Sequence, residues 1–487
     1  MKNTKNKKKG FILLLIKRLE NYDISILNYL LIFLSISFIR NFLEGAMEIS
    51  RTVGTGANQA TTILQMGVLF NLEWMALFCA LALVIHSFTK IEPRQLLKLM
   101  LYFFALIIVV PFIDLAAYYP SGCKIDYLYT IAGYMKALVF FFVPFVDVNV
   151  CLGIRLEVFA AFFMCLAYVY LKTGNAPKSL AAALLLYFLA VSSMAYPVFI
   201  LLPAFPFVPQ FDEFVNRFFF GDSYGGEFLR RNSAMIFILL APLLILLHRA
   251  HLGAVRSVAL LKSVFNPASL ALTAAFTCGF MLAPARAELA LFSNPYDIFM
   301  LISGMLTCLT YGLYLKDTDG LKPLYITLVL ITSMALSFGF FLFFILLFAL
   351  QVLYGNSPFK LDSYGIFRHV FIPLNALVLF LAGASLITGD TIYGRIGFIM
   401  PACIFFILVM VSLAAAKPKN SAILLLLFVS FVSAAPAAAT LTVLIPAVIC
   451  GGVSLYVLKK AESEEQRHGH LLAVTALLVF ITAFLGR

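Results

Sequence analysis

Apolar stretches of about 17 to 25 residues recur from one end of this chain to the other, with no long polar insertion between them. That recurrence leaves few folds open. Hydrocarbon offers no water to satisfy backbone N–H and C=O groups, so a crossing segment must be a helix or part of a closed barrel. Barrel strands alternate apolar and polar residues with period 2, and no such alternation is present. The composition points the same way, since 63% of the 487 residues are hydrophobic, 12% are charged and the mean hydropathy is +1.00. The expected fold class is all-α, a polytopic integral membrane protein.

Spans are placed near 25–43, 67–88, 97–117, 153–171, 179–203 and 233–248, then near 267–285, 297–315, 322–337 and 339–354. Further runs near 367–387, 394–415, 420–434, 437–457 and 470–485 bring the total to about fifteen transmembrane helices. The run 322–354 is too long for one crossing and is expected to turn near "SFGFF". The stretch "IAGYMKALVFFFVPFVD", 131–147, is expected to be re-entrant or interfacial. Counting it as a crossing would put Arg249, Arg256 and Lys262 outside, whereas leaving it out keeps Lys and Arg in the cytoplasmic loops. The expected domains are a six-span block over 1–250, a basic cytoplasmic connector over 251–265, and a nine-helix block over 266–487. The expected location is the cell's inner membrane, with the N-terminus cytoplasmic and the C-terminus outside.

The net charge of +12 is read as positive-inside asymmetry, not as a sign of nucleic-acid binding. "MKNTKNKKKG" followed by "FILLLIK" has no small-residue cleavage site and reads as a cytoplasmic amphipathic start able to touch anionic lipid. Six cysteines lie inside apolar runs, as small buried hydrophobes do. Cys123 and Cys151 look loop-placed and could form a disulfide if that side is oxidising. No Cys/His cluster has metal-ligand spacing, so no metal site is expected.

Two stretches carry a family resemblance. "KSVFNPASLALTAAFTCGFMLA" places Asn266 before Pro267 at the start of a helix and Gly279 late in it. "VLYGNSPFKLDSYGIFRHVFIPLNALVLFLAG" supplies Tyr354, Pro358, Lys360 and Gly383. From about 262 to 487 the chain resembles the UbiA superfamily of intramembrane prenyltransferases. The resemblance implies a nine-helix bundle around a cavity open to the bilayer and an isoprenoid or other long-chain lipid as ligand. Asn266, Asp317, Asp319, Tyr354, Lys360 and Lys417 are the substrate-binding candidates that it implies. Family enzymes carry two Asp-rich motifs that hold Mg²⁺ on a diphosphate leaving group. Here "LYLKDTDGLKP" keeps only Asp317 and Asp319, and "LAAAKPKNSAI" has two lysines and no carboxylate. No cofactor is therefore expected, with Mg²⁺ required only if residual prenyl transfer exists. The lysines could bind a phosphate or lipid headgroup directly, or could be ordinary positive-inside residues.

The first block is read from its intramembrane charges, which are costly and usually face a bundle interior or a partner. Arg40, Glu44, Asp114, Arg155 and Glu157 all fall toward the outer face. On one reading they line an outward cavity for a polar headgroup, as in a lipid-linked transferase or lipid transporter. On the other, Arg40 pairs with Glu44 one helical turn away, Arg155 pairs with an acidic neighbour, and the rest is interfacial. Asp114 has no basic residue within a turn of it. The loop 204–232, rich in Phe and charge, reads as an interfacial segment. The expected function is lipid binding or handling without Mg-dependent prenyl transfer, the alternative being a structural subunit with membrane-protein partners.

Overall fold

The computed structural model describes residues 13–52, 59–118, 130–143, 145–202, 209–220, 226–253, 267–286, 296–316, 320–355, 365–388, 407–413 and 441–460, with isolated positions elsewhere. All regular structure among them is helical. Two compact units are formed, Met1–Val258 and Ala259–Arg487.

In the first unit, a short helical stretch over 13–20 precedes α1 (Ile26–Thr52) and α2 (Gln59–Thr89). The third span is compound: α3 (Pro93–Phe104), a 3₁₀ segment (Ala105–Val109) and α4 (Val110–Ala117). Then come α5 (Ile131–Phe140), α6 (Leu152–Thr173), α7 (Ala176–Met194), α8 (Tyr196–Leu201), α9 (Phe211–Phe220) and α10 (Gly226–Leu252). Six stretches here are long and apolar enough to cross a bilayer: Ile26–Leu43, Gly67–Thr89, Pro93–Ala117, Leu152–Thr173, Ala176–Met194 and Arg230–His251. The run expected over 179–203 breaks at Ala195, where Pro197 in the first turn of α8 begins a new helix.

Local chemistry sets the turns between these helices. Gly174 closes α6 in the left-handed conformation at φ +66°, and Asn175 then caps α7 by accepting the Lys178 N–H at 3.0 Å. Only two residues thus join two spans, which makes them antiparallel neighbours. Residue pairs fix two ends of the unit. Glu20, Asn21 and Asp23 meet Lys172, Gln95 and Arg94 at one end. At the other, Asp114 meets Gly153.

Within 131–147 the described helix is α5, which is shorter than the candidate crossings. Leu128 N donates to the Met194 carbonyl at the end of α7, Tyr134 bonds Ser192, and Tyr187 donates to the Leu138 carbonyl. α5 therefore descends alongside α7 from the level of residue 194 to that of 187, about 10 Å. Its ten residues span about 15 Å, half of the hydrocarbon thickness. The chain turns at Phe141 and Phe142 and returns to Cys151 at the mouth of α6.

The second unit contains α11 (Pro267–Arg286), α12 (Tyr296–Leu315), α13 (Lys322–Leu336), α14 (Phe338–Gly355), α15 (Gly365–Thr388) and α16 (Leu441–Lys460). Asp297–Leu315 is its candidate crossing among the described residues. The long run 322–354 turns at Ser337, whose extended backbone (φ −168°, ψ 143°) separates α13 from α14. Side-chain levels fix the helix directions. Ser269 lies against Gly312 and Phe276 against Gly304, so α11 and α12 are antiparallel. Tyr311 reaches Asn375 Oδ1 at 3.2 Å, while Gly383 lies on Phe276, so α15 runs parallel to α11. At that crossing a Cβ on Gly279 would fall 1.9 Å from the Phe380 carbonyl oxygen, and one on Gly383 would fall 2.1 Å from that of Phe276. The missing side chains are what let these two backbones touch.

Candidate functional site

Arg40, Asp114 and Glu157, three of the intramembrane charges singled out in the sequence, converge in the first unit. They come from α1, α4 and α6. Arg40 is 4% exposed, and its Nη2 stands 3.8 Å from Glu157 Oε2. Its guanidinium lies over the Trp74 ring of α2, 5.0 Å from the centroid. Arg40 acts electrostatically on both carboxylates, and the two carboxylates act on each other. Among the described residues, the ion pair of Arg40 is with Glu157, on another helix. Glu44 continues α1, but its side chain lies outside what the structure describes.

Asp114 is accounted for by a helix end. Its Oδ1 accepts the Gly153 N–H at 2.6 Å, so a carboxylate on α4 caps the first turn of α6, where orphan amides and the helix dipole favour negative charge. Such a partner belongs to the backbone and is invisible to a search for basic side chains.

Arg155 performs the converse task. Its Nε donates to the Phe141 carbonyl at 2.7 Å, Nη1 to Val146 at 3.2 Å, and Nη2 to Val143. All three nitrogens thus hold the turn that follows α5. In place of the acidic neighbour expected for Arg155, the described partners are backbone carbonyls of the turn that follows α5.

Glu157 pairs only loosely with Arg40. Its side chain is 18% exposed, and Oε2 is buried with no hydrogen bond among the described residues. At 3.8 Å its contact with Arg40 is an ion pair too long for a direct hydrogen bond. Nearby on α2, Asn71 is 6% exposed; its Nδ2 donates to the Gly67 carbonyl at 2.7 Å, while Oδ1 has no hydrogen bond among the described residues. Below the charges, Trp74 and Phe104 pack at 5.2 Å, Phe33 and Phe104 at 4.9 Å, and Phe78 and Phe104 at 4.6 Å, forming an aromatic floor. The 3₁₀ segment that follows Phe104 is the break between that floor and Asp114.

Sequence reasoning missed Trp74 and Asn71. Trp74 is the sole tryptophan of the chain, and its spacing from Asn71 and Phe78 on one helix face was the available signal. It also misplaced Arg231. That residue was expected in an interfacial loop, but it lies inside α10 at 4% exposure, followed by Asn232 at 0%. Tyr196 donates to Asn232 Oδ1, tying α8 to α10.

In the second unit, Tyr354 stacks on Phe371 at 3.9 Å, joining α14 to α15. Asn266, Asp317, Asp319, Lys360 and Lys417 lie outside the described residues. Of the loop-placed cysteines, Cys151 is disulfide-bonded, and residue 123 lies outside the described residues. Compared with known proteins, the chain matches no family model, no curated protein and no solved structure.

Proposed function

We propose that this chain is a lipid-handling protein of the inner membrane, and that the polar end of a long-chain lipid is received at Arg40, Trp74 and Glu157. The observation that carries the reading is the loose, buried guanidinium–carboxylate pair. Burial of a carboxylate is costly, and Glu157 Oε2, buried without a hydrogen bond among the described residues and 3.8 Å from Arg40 Nη2, recovers little of that cost. Such an arrangement is explained by a ligand whose polar group enters between them. Arg40 presents a planar fork suited to phosphate or carboxylate, and Glu157 accepts hydrogen bonds from hydroxyls of the same headgroup. The acyl or isoprenoid chain then runs along the lipid-facing surface.

In this reading residues 1–20 face the cytoplasm and the Cys151 end faces outward. A disulfide at Cys151 supports that orientation, because disulfides persist on the oxidising side. Lipid analysis of the gently purified full chain tests the proposal. One stoichiometric long-chain lipid with an anionic or hydroxyl-bearing headgroup is expected, and Arg40→Lys and Glu157→Gln are each expected to deplete it at least about tenfold. Unchanged lipid in both variants, each still monodisperse, overturns it.

A second reading places the lipid in the second unit, on a UbiA-like scaffold without the Mg-dependent reaction. It is favoured by Gly279 and Gly383, two of the residues that carry the resemblance, each standing against the backbone of the other's helix at one crossing. Its test is the combined Asp317→Ala and Asp319→Ala variant. Loss of the bound lipid there, with retention in the Arg40 and Glu157 variants, selects this reading over the first.

A further inference from the structure

We infer that the helical stretch over 13–20, with its exposed Lys17 and Arg18, acts together with the lysine-rich sequence before it to bind the anionic phospholipid headgroups of the bilayer, independently of the Arg40 site. The charge of the segment is one-sided. Five lysines fall within residues 2–9 and are followed by Lys17 and Arg18, with no carboxylate before Glu20. Glu20 itself does not offset them, because it is turned inward and neutralised. It is 5% exposed, accepts the Tyr168 hydroxyl at 2.6 Å, and pairs with Lys172 Nζ at 2.7 Å, while that ammonium also lies 5.6 Å from the Tyr168 ring centroid.

The same clamp sets the helix orientation. Ile16 and Leu19 pack on the core cluster that includes Leu96, Val169 and Leu186. That leaves Leu14 at 69% and Leu15 at 48% exposure, beside the exposed Lys17 and Arg18. Exposed leucines next to exposed cations form the pattern of a helix lying in the headgroup plane. Tyr22 and Tyr102, both exposed and in edge contact at 6.5 Å, mark that plane at the same end of the unit. A folded protein partner would need only the cations. A membrane surface also accounts for the leucines.

The full chain reconstituted in phosphatidylcholine nanodiscs, with or without phosphatidylglycerol, tests this. Tryptic cleavage after Lys17 and Arg18 is followed by mass spectrometry and normalised to cleavage after Lys178, which is exposed at the same end. Phosphatidylglycerol is expected to slow the normalised cleavage at least about tenfold, and raised salt is expected to reverse the effect. Changing the five lysines of residues 2–9 to Gln, which leaves the scissile bonds intact, is expected to remove most of the protection. Equal cleavage in the two lipids overturns the inference, as does protection that survives both high salt and the Gln variant.

Discussion

Gly153 donates its backbone N–H to Asp114 Oδ1 at 2.6 Å, and a Cβ at Gly153 would stand 2.7 Å from Oδ2 of the same carboxylate and 2.8 Å from the Val110 carbonyl oxygen. One glycine therefore permits both the cap and the close approach of α4 to α6. Gly153→Ala is expected to cost about 1–3 kcal/mol through overpacking. Asp114→Asn keeps an acceptor and is expected to cost about 1 kcal/mol, the usual scale of a cap. Thermal unfolding of the purified protein checks both, and a wild-type midpoint for Gly153→Ala would rule out the contact.

The Arg40 and Glu157 pair calls for a double-mutant cycle. Arg40→Leu takes the counter-charge from the buried Glu157 and is expected to destabilise by about 3–5 kcal/mol, and Glu157→Leu, which weakens the charge balance around Arg40, is expected to destabilise as well. The double Leu variant is expected to recover most of that loss, since an apolar pair of similar volume pays no desolvation penalty. Additive losses in the cycle would mean that the two side chains do not interact. The double variant also separates stability from function, because under the proposed reading it folds and yet retains no headgroup.

Arg155 is expected to govern α5 and the turn after it alone. With three guanidinium nitrogens on three carbonyls, Lys cannot replace it, since an ammonium lacks the fixed fork. Arg155→Lys is expected to raise amide exchange over residues 131–147 by about tenfold or more while leaving α7 and α10 protected. Hydrogen exchange read by mass spectrometry resolves the two regions. A uniform rise across the unit would show that the segment is not a separate element.

The helices were legible where apolar length alone decides, as in Gly67–Thr89, Leu152–Thr173 and Asp297–Leu315. The stretch 131–147 was left out of the crossings on charge asymmetry, and the helix described there, α5, is ten residues long. Partners of charges were not. Spacing offers Arg40 a partner in Glu44 one turn away, but it cannot reveal that Glu157, on a helix far along the chain, also stands beside it in space. Asp114 and Arg155 found backbone groups, which carry no residue-type signal. Arg231 was assigned to a loop because charge density marked the interface, yet the helix begins at Gly226 and buries it.

The glycine crossing of α11 and α15 yields the sharpest contrast between positions. At Gly279 and Gly383 a new Cβ meets a carbonyl oxygen of the other helix, and backbone cannot swing aside as a side chain can. Each substitution to Ala must separate the helices along the whole crossing, at an expected cost of about 3 kcal/mol or more. Gly452, on α16, is exposed and has nothing within 4 Å of its would-be Cβ. Gly452→Ala is therefore expected to be neutral or slightly stabilising, through a gain in helix propensity of up to about 1 kcal/mol. Thermal unfolding and size-exclusion profiles of the three variants compare them directly. Equal behaviour at all three positions would show that α11 and α15 do not meet at their glycines, and would remove the one observation favouring lipid binding in the second unit.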